Sequence, residues 1–458
     1  MRLNRIASRS VAILLLVIIL LGGLGFFLIE YFLSAGDWVM HAGSPHVYSG
    51  PNIGTGIVTD RDGILLLDMS ENRTYAVTQE LRESTLHWLG DRYGYISAPA
   101  LPSYAKEMAG YNSLTGLYSY SGSGQAILTL SAQLQMVALE ALGDYKGTVA
   151  VYNYKTGEIL CAVSTPTYDP DDVPDIEGDT TGVYEGVYLN RFTQSVYIPG
   201  SIFKIVTTAA ALEEIPDIRE QTFTCTGTYS YGTDAVTCER SHGTLDFDSA
   251  MAQSCNCAYA QIVDQLGAET LRKYVERYDV TEPLSFDGIT TAAGNFDVSD
   301  AAAVQVAWSG IGQHKDQINP CRFMTFMGAI ANGGVGVEPH LVSKITCDSS
   351  VTYSAQAVQT ERIMPESVAQ ELQAMMRNNV IEKYGEENFP GLTVCAKSGT
   401  GQVGGDQKSN AMFAGFIDDE AYPLAFIVAV EDAGYGRLVC VPILSEILAA
   451  CKDLLDAA

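Results

Sequence analysis

The sequence predicts an α/β protein of the α+β kind, a mainly antiparallel five-stranded sheet flanked by helices, with a largely helical insertion. A small N-terminal pedestal domain and a transmembrane helix come before it. Three observations predict this. An uncharged apolar run behind an arginine-bearing tail opens the chain. A helix and two strands near 131–164 are mirrored by three strands and a helix near 392–455. Between them, from about 200 to 390, apolar residues recur mostly at helical spacing.

The opening segment "MRLNRIASRS" carries Arg2, Arg5 and Arg9 and no acid. "VAILLLVIILLGGLGFFLI" (11–29) follows, 19 residues without a charge. At 1.5 Å per residue this run spans roughly 28 Å, about one hydrocarbon core. Arginines ahead of it place the N-terminus in the cytoplasm and the rest outside. A cleaved signal peptide would have a shorter apolar region and a small-residue cleavage site, and "FLSAG" fits that poorly. The run therefore reads as a single-pass anchor in the cell membrane. The expected division is 1–10 cytoplasmic tail, 11–33 anchor, 34–125 pedestal and 126–458 main domain.

The 458 residues are 47% hydrophobic and 18% charged, as in a folded chain. The net charge of −27 excludes nucleic acid as a partner, because phosphates need a positive surface. Three of the 27 basic residues lie in the tail, so the exported part is the more acidic.

In the pedestal, "VTDRDGILLLD" (58–68) reads as a hairpin turning at Arg-Asp-Gly. "SYSGSGQ" (119–125) is Gly/Ser-rich and marks a boundary. "SAQLQMVALEALG" has Ser131 as N-cap and Gly143 as stop. Leu134, Val137, Ala138, Ala141 and Leu142 share one face. "TVAVY" and "EILCAVS" flank "NYKTG" as a hairpin. Late in the chain, "LTVCAKS", "AMFAGFI" and "LAFIVAVE" read as strands. "PILSEILAACKDLL" reads as a helix beginning at Pro442. Short connections make the sheet antiparallel.

Most of the ten cysteines lie in apolar runs and read as small core residues. Cys225 and Cys238 flank the hairpin-like "CTGTYSYGTDAVTC", and outside the cytoplasm they are candidates for a disulfide. Cys255-Asn256-Cys257 lacks the usual structural-zinc spacing and no paired histidines follow, so no metal is expected.

The chemistry centres on "SVYIPGSIFKIVTTAAALEE". Ser201 and Lys204 are three apart, hence neighbours on a helix. A serine hydroxyl needs a base, and an ammonium is not one. Desolvation among Phe203, Ile205 and Val206 would free the amine. The pattern alone is weak, since Ser103 and Lys106 also fit it, in a polar segment with no apolar helix behind. Two more motifs add weight. Ser254-Cys255-Asn256 interrupts the helical run "DSAMAQSCNCAYAQIVDQLG". "KSGTG" ends a strand, with Lys397 and Gly399 on one face and Ser398 and Thr400 on the other. "GLTVCAKS" nearly matches a phosphate-binding loop, but it lacks the glycine before the lysine and a helix after it.

Ser-x-x-Lys, Ser-x-Asn and Lys-Ser/Thr-Gly in this order resemble the signature of penicillin-binding proteins and serine β-lactamases. The intervals are 53 residues from Ser201 to Ser254 and 143 from Ser254 to Lys397. Flanking text such as "YKTGEILCAVSTPTYDPDD" and "NRFTQSVYIPGSIFKI" resembles the family as well. The resemblance covers about 126–458 and implies the penicillin-binding/β-lactamase-like fold. It further implies a peptidoglycan cross-linking D,D-transpeptidase acting on stem peptides ending D-Ala-D-Ala, acylated by β-lactam antibiotics.

By that resemblance Ser201 is the nucleophile and Lys204 its base. Ser254 relays a proton to the leaving amine, and Asn256 holds Lys204 and the substrate amide. Lys397 supplies positive potential, and Ser398 and Thr400, with Gly399 between them, bind the terminal carboxylate. The N–H groups of Ser201 and Thr400 form the oxyanion hole. No metal or organic cofactor is required. His242, in "RSHGTLDF", reads as a loop histidine satisfied by backbone.

Residues 34–125 are too few for a glycosyltransferase domain, so the chain resembles the small class B, monofunctional members. Those imply a polytopic glycan polymerase as membrane partner. The rival readings are a D,D-carboxypeptidase or β-lactamase, which passes the acyl group to water, and a non-catalytic β-lactam sensor or scaffold.

Overall fold

The computed structural model describes all residues except 1, 42–43, 45–46, 50–51, 70–72, 110, 113, 115, 118–123, 348–349, 405–407 and 458. Most of the "SYSGSGQ" stretch thus lies outside the described residues.

The first helix, Arg2–Val39, runs beyond the uncharged segment at both ends. The stretch Ile6–Val39 is long and apolar enough to cross a membrane, and its most apolar window is not buried at all. At 1.5 Å per residue the whole helix reaches about 57 Å, well past one hydrocarbon core. Its C-terminal end is seated on protein. Ala35 is buried, and a Cβ on Gly36 would meet Lys106 Cε at 3.0 Å.

The hairpin at 58–68 forms as strands Ile57–Thr59 and Leu65–Asp68. Asp60 holds its turn by accepting from the Asp62 and Ile64 amides. Its other oxygen accepts from Ala132 N, at the start of the helix Ala132–Leu142. One buried carboxylate thereby closes a turn and caps a helix of the main domain.

This N-terminal segment does not complete its own sheet. The six strands run in the order Ser350–Ser354, Val342–Cys347, Gly124–Leu128, Ile57–Thr59, Leu65–Asp68, Thr74–Tyr75. Two come from the far half of the chain. Ile57–Thr59 pairs parallel with Gly124–Leu128, and every other pairing is antiparallel. Gly124 and Gln125, expected in a linker, are strand residues here.

The main sheet has the five expected strands, all antiparallel, in the order Ile159–Thr165, Gly147–Asn153, Leu424–Val430, Asn410–Ile417, Val394–Gly401. Both faces are covered, which is why its strands read as near-continuous apolar runs. Val149, Val151, Phe426 and Val428 point toward the helices Ala132–Leu142 and Gly436–Asp456. Ala150, Tyr152, Ala425 and Ile427 point the other way, into a core shared with the inserted helices Lys204–Glu214 and Pro320–Ala331.

The last helix differs from expectation. It begins at Gly436, so Pro442 stands inside it rather than at its start. The start is fixed by close packing. A Cβ on Gly436 would meet Gly399 O at 2.2 Å and Met412 O at 2.4 Å. Glycine therefore lets the first turn lie against the edge strand, and the proline falls in the next turn.

Candidate active site

The site lies where the edge strand Val394–Gly401 meets the turn Gly200–Ile202 and the junction between two helices. Gly200 has φ 55°, and a Cβ on it would meet Thr400 O at 2.4 Å. Across the same contact, a Cβ on Gly399 would meet Pro199 O at 2.4 Å. Glycine on both sides permits backbone-on-backbone approach. Ser201 and Thr400 are thereby brought to one wall of a cleft of about 760 Å³.

Lys204 opens the helix Lys204–Glu214 and is fully buried. Its Nζ donates to the Ser254 carbonyl at 2.7 Å and to Asn256 Oδ1 at 2.8 Å, and it lies 3.2 Å from Ser254 Oγ. The Tyr259 ring centroid is 5.2 Å away. Burial pushes the amine down to about 8.

Ser254 sits between the helices Phe247–Ala252 and Asn256–Leu266, in the left-handed conformation with φ 52°. This explains the pause in the helical pattern. A non-glycine residue held there is strained, and here the strain aims a hydroxyl and a carbonyl at Lys204. Asn256 is fixed from behind, its Nδ2 donating to Thr237 O at 2.8 Å. Its Oδ1 therefore faces the amine.

Lys397 is also buried. Its Nζ lies 3.0 Å from Ser254 Oγ and donates to Ser398 O at 3.1 Å. Burial first, then the charge on Lys204, push it well below the usual lysine range. Strand alternation is as expected. Lys397 and Gly399 are buried, whereas Ser398 and Thr400 are half-buried and line the cleft. The structure thus brings together all eight residues singled out from the sequence. Ser103 and Lys106 fall in the N-terminal segment, at Leu101–Tyr104 and Ala105–Ala109, and neither lines the cleft. Among the described residues, the strand that carries Lys397 is followed by the strand Asn410–Ile417, with no helix between them.

Sequence reasoning missed the residues that support the edge strand. Tyr384 Oη accepts from Ser398 N at 2.8 Å and lies 3.1 Å from Ser398 Oγ. Gln313 Nε2 donates to Thr400 O at 3.0 Å, and its Oε1 accepts from Gln402 N. Arg240, Lys383 and Arg437 also line the cleft, against one carboxylate, Glu239. A chain of net charge −27 therefore presents cations here, which suits an anionic ligand.

Two expectations are corrected nearby. Cys225 and Cys238 are not joined in a disulfide. The hairpin ladder closes at Thr228↔Thr237, and Cys238 Sγ faces Cys255 Sγ at 3.7 Å. His242 turns Nδ1 to Cys225 Sγ at 3.4 Å rather than to backbone.

A serine at a helix start, a buried amine one turn on, and a second lysine on an adjacent edge strand define an acyl-transfer serine enzyme. Residues 147–449 match the penicillin binding protein transpeptidase domain, and the chain belongs to that family. It is 28% identical over 345 residues to the peptidoglycan D,D-transpeptidase PbpA of Mycobacterium tuberculosis, covering 69% of this chain and 68% of that one. It is 27% identical over 344 residues to the stage V sporulation protein D of Bacillus subtilis, covering 70% and 52%. The fold resembles a ceftriaxone acyl-enzyme of M. tuberculosis penicillin-binding protein A, with TM-score 0.75 and 23% identity over 87% of this chain and 98% of that one. A D,D-transpeptidase domain from Eggerthella lenta resembles it equally, with TM-score 0.75 and 22% identity over the same shares.

Proposed function

We propose that the chain is a serine D,D-transpeptidase that cross-links peptidoglycan stem peptides and is acylated by β-lactams. The observation that carries this reading is a desolvated Lys204, held by Ser254 and Asn256 one helical turn from Ser201.

Ser201 Oγ attacks the carbonyl carbon of the penultimate D-Ala, and its proton passes to the neutral Lys204 amine. The N–H groups of Ser201 and Thr400 hold the oxyanion. The C–N bond then breaks. The leaving D-Ala nitrogen takes a proton through Ser254 Oγ, which touches both lysines. An amine from a neighbouring stem attacks the ester, Lys204 accepts its proton, and Ser201 is released with its hydrogen restored. Lys397, Ser398 and Thr400 bind the terminal carboxylate, and Asn256 orients Lys204 and the substrate amide. β-Lactams follow the first half of this path, and their ring nitrogen stays tethered.

The first helix is read as a single membrane span with the N-terminus in the cytoplasm and the catalytic domain outside. The partner that fits this arrangement is a polytopic glycan polymerase, met through that helix and the N-terminal segment.

The test is labelling of the detergent-solubilised full chain with fluorescent penicillin, followed by a chase. A lasting adduct on Ser201, absent from Ser201→Ala, is the expected result. Loss of label within seconds would make the protein a hydrolase, and no label in the wild type would overturn the reading.

A further inference from the structure

Beside the cleft, four ligating side chains converge that this mechanism does not use. Cys225 ends the strand Thr222–Cys225, and Cys238 follows the strand Asp234–Thr237. His242 lies in the loop between Cys238 and the strand Gly243–Asp246, and Cys255 is the N-cap of the helix Asn256–Leu266. Their Sγ atoms and an imidazole nitrogen all lie within 4.8 Å of one another. We propose that they form a structural zinc site of the Cys₃His type. The site would pin the turn carrying Ser254 and Asn256.

Two of the separations match the edges of a tetrahedral zinc site. Zn–S bonds of about 2.3 Å and Zn–N bonds of about 2.0 Å give edges of about 3.8 Å between sulfurs and about 3.5 Å between sulfur and nitrogen. The cluster has Cys238 Sγ to Cys255 Sγ at 3.7 Å and Cys225 Sγ to His242 Nδ1 at 3.4 Å. What packing alone does not require is that all four ligating atoms lie within 4.8 Å of one another.

The surroundings suit thiolates. Cys257 N donates to Cys238 Sγ at 3.3 Å, and Ala258 N donates to Cys255 Sγ at 3.4 Å. These are first-turn amides of an 11-residue helix, so its positive end faces two of the sulfurs. Cys257 Sγ lies beside Cys225 and Cys238 but donates to Val236 O at 3.8 Å, and it is not one of the four converging atoms. Cys225 and Cys255 are buried, while Cys238 and His242 are half-buried and line the cleft, giving a metal a way in. Four protein ligands leave no open position, so the site is structural rather than catalytic.

Its position gives it a consequence. Cys255 lies between Ser254 and Asn256, and Cys238 follows Thr237, whose carbonyl holds Asn256 Nδ2. Metal bonds to both cysteines would fasten the strained turn to the hairpin. Zinc would then act on acylation by positioning Ser254 and Asn256 against Lys204.

The test is independent of the proposed activity. Purify the full chain in detergent without added metal and measure bound metals by mass spectrometry. About one zinc per chain is expected, and cobalt exchange should give the intense visible bands of a tetrahedral thiolate site. Cys225→Ser and His242→Ala should lose most of the metal. Cys257→Ser, which leaves the tetrahedron intact, should keep it, and this separates loss of ligand from loss of fold. Metal-free wild type, a Cys238–Cys255 disulfide in the unreduced chain, or equal zinc in all three variants would overturn the site. Chelation should slow labelling by fluorescent penicillin at least 10-fold, with recovery on adding zinc. Unchanged labelling of metal-free protein would overturn the positioning role.

Discussion

Lys204 and Lys397 meet at one oxygen: Ser254 Oγ lies 3.2 Å from the Nζ of the first and 3.0 Å from that of the second. Both amines are buried, so two positive charges here would repel with little water between them. A neutral Lys204 fits its partners. An amine has two N–H groups and a lone pair, and the Ser254 carbonyl and Asn256 Oδ1 accept both N–H groups. The lone pair is left to take a proton. Ser254→Ala removes the shared hydroxyl while both carbonyl acceptors of Lys204 remain. Acylation by fluorescent penicillin should fall about 100-fold or more, in the range of general acid–base effects, with little change in melting temperature. A rate within twofold of wild type would rule out the relay.

The Lys204 amine, pushed down to about 8 by burial, sets the pH dependence. Below that value the ammonium dominates and the base is absent. The acylation rate should therefore rise about tenfold per pH unit on the acid side and level off above a midpoint near 8. Stopped-flow labelling between pH 6 and pH 9.5 measures this. Lys204→Arg, which stays charged, should remain slow at every pH. A profile with its midpoint near 6.5 would point to a histidine instead.

Much of the main sheet was legible because short hairpins join apolar strands and both flanking helices carry one-sided patterns. Ser201, Lys204, Ser254, Asn256 and Lys397 were legible because three short motifs fix their order. What escaped was set by tertiary approach. Nothing local says that Val342–Cys347 completes a sheet begun at Ile57–Thr59. Pro442 read as a helix start because the close contact of Gly436 with Gly399 O is invisible in one dimension. Tyr384 ends the π-helical turn Val380–Tyr384, which reads in sequence as plain helix, and only the fold brings its hydroxyl to Ser398. The thiol cluster was missed by looking for close pairs. Cys225, Cys238, His242 and Cys255 are spread over one hairpin and one helix start, between the first two motifs.

Tyr384 tests how the edge strand is held. Its hydroxyl is the acceptor for the Ser398 amide at 2.8 Å. Tyr384→Phe removes that acceptor and leaves a donor unpaired, costing about 1–2 kcal/mol. The melting temperature should fall by a few degrees. Penicillin labelling should weaken mainly through a higher half-saturating concentration, because Ser398 faces the cleft while Ser201 and Lys204 are untouched. Loss of the limiting rate alone would contradict this division.

Gly200 is the point at which sequence, backbone and catalysis coincide. Its φ of 55° disfavours any side chain, and a Cβ would strike Thr400 O at 2.4 Å. Gly200→Ala must therefore push Ser201 and Thr400 apart or strain the turn, at roughly 1–3 kcal/mol. Labelling should drop at least tenfold even in the fraction that folds, since the two N–H groups of the oxyanion hole flank the displaced contact. Gly232, also at positive φ, has open space around it. Gly232→Ala therefore carries the backbone penalty alone and should keep wild-type labelling. Equal loss in both variants would assign the effect to backbone strain rather than to the close approach.

His87 governs stability on the acid side. It lies in the helix Gln79–Leu89, is 3% exposed, and its Nε2 donates to Val187 O at 2.8 Å. Burial first, and the charge of Arg191 after it, push it down to about 4 from the ordinary 6.5. Between those values the unfolded chain binds the proton and the folded chain does not, so stability falls as pH drops through this window. The slope is about 1.4 kcal/mol per pH unit, or roughly 3 kcal/mol over the whole window, and the full contribution is present above about 6.5. His87→Gln keeps an N–H donor without the titration. The gap in unfolding free energy between wild type and variant should therefore shift by roughly 2 kcal/mol in the variant's favour from pH 7 to pH 5. Denaturant unfolding of the full chain at the two pH values reads this directly. A gap that stays constant would mean that His87 takes up its proton as readily in the folded chain as in the unfolded one.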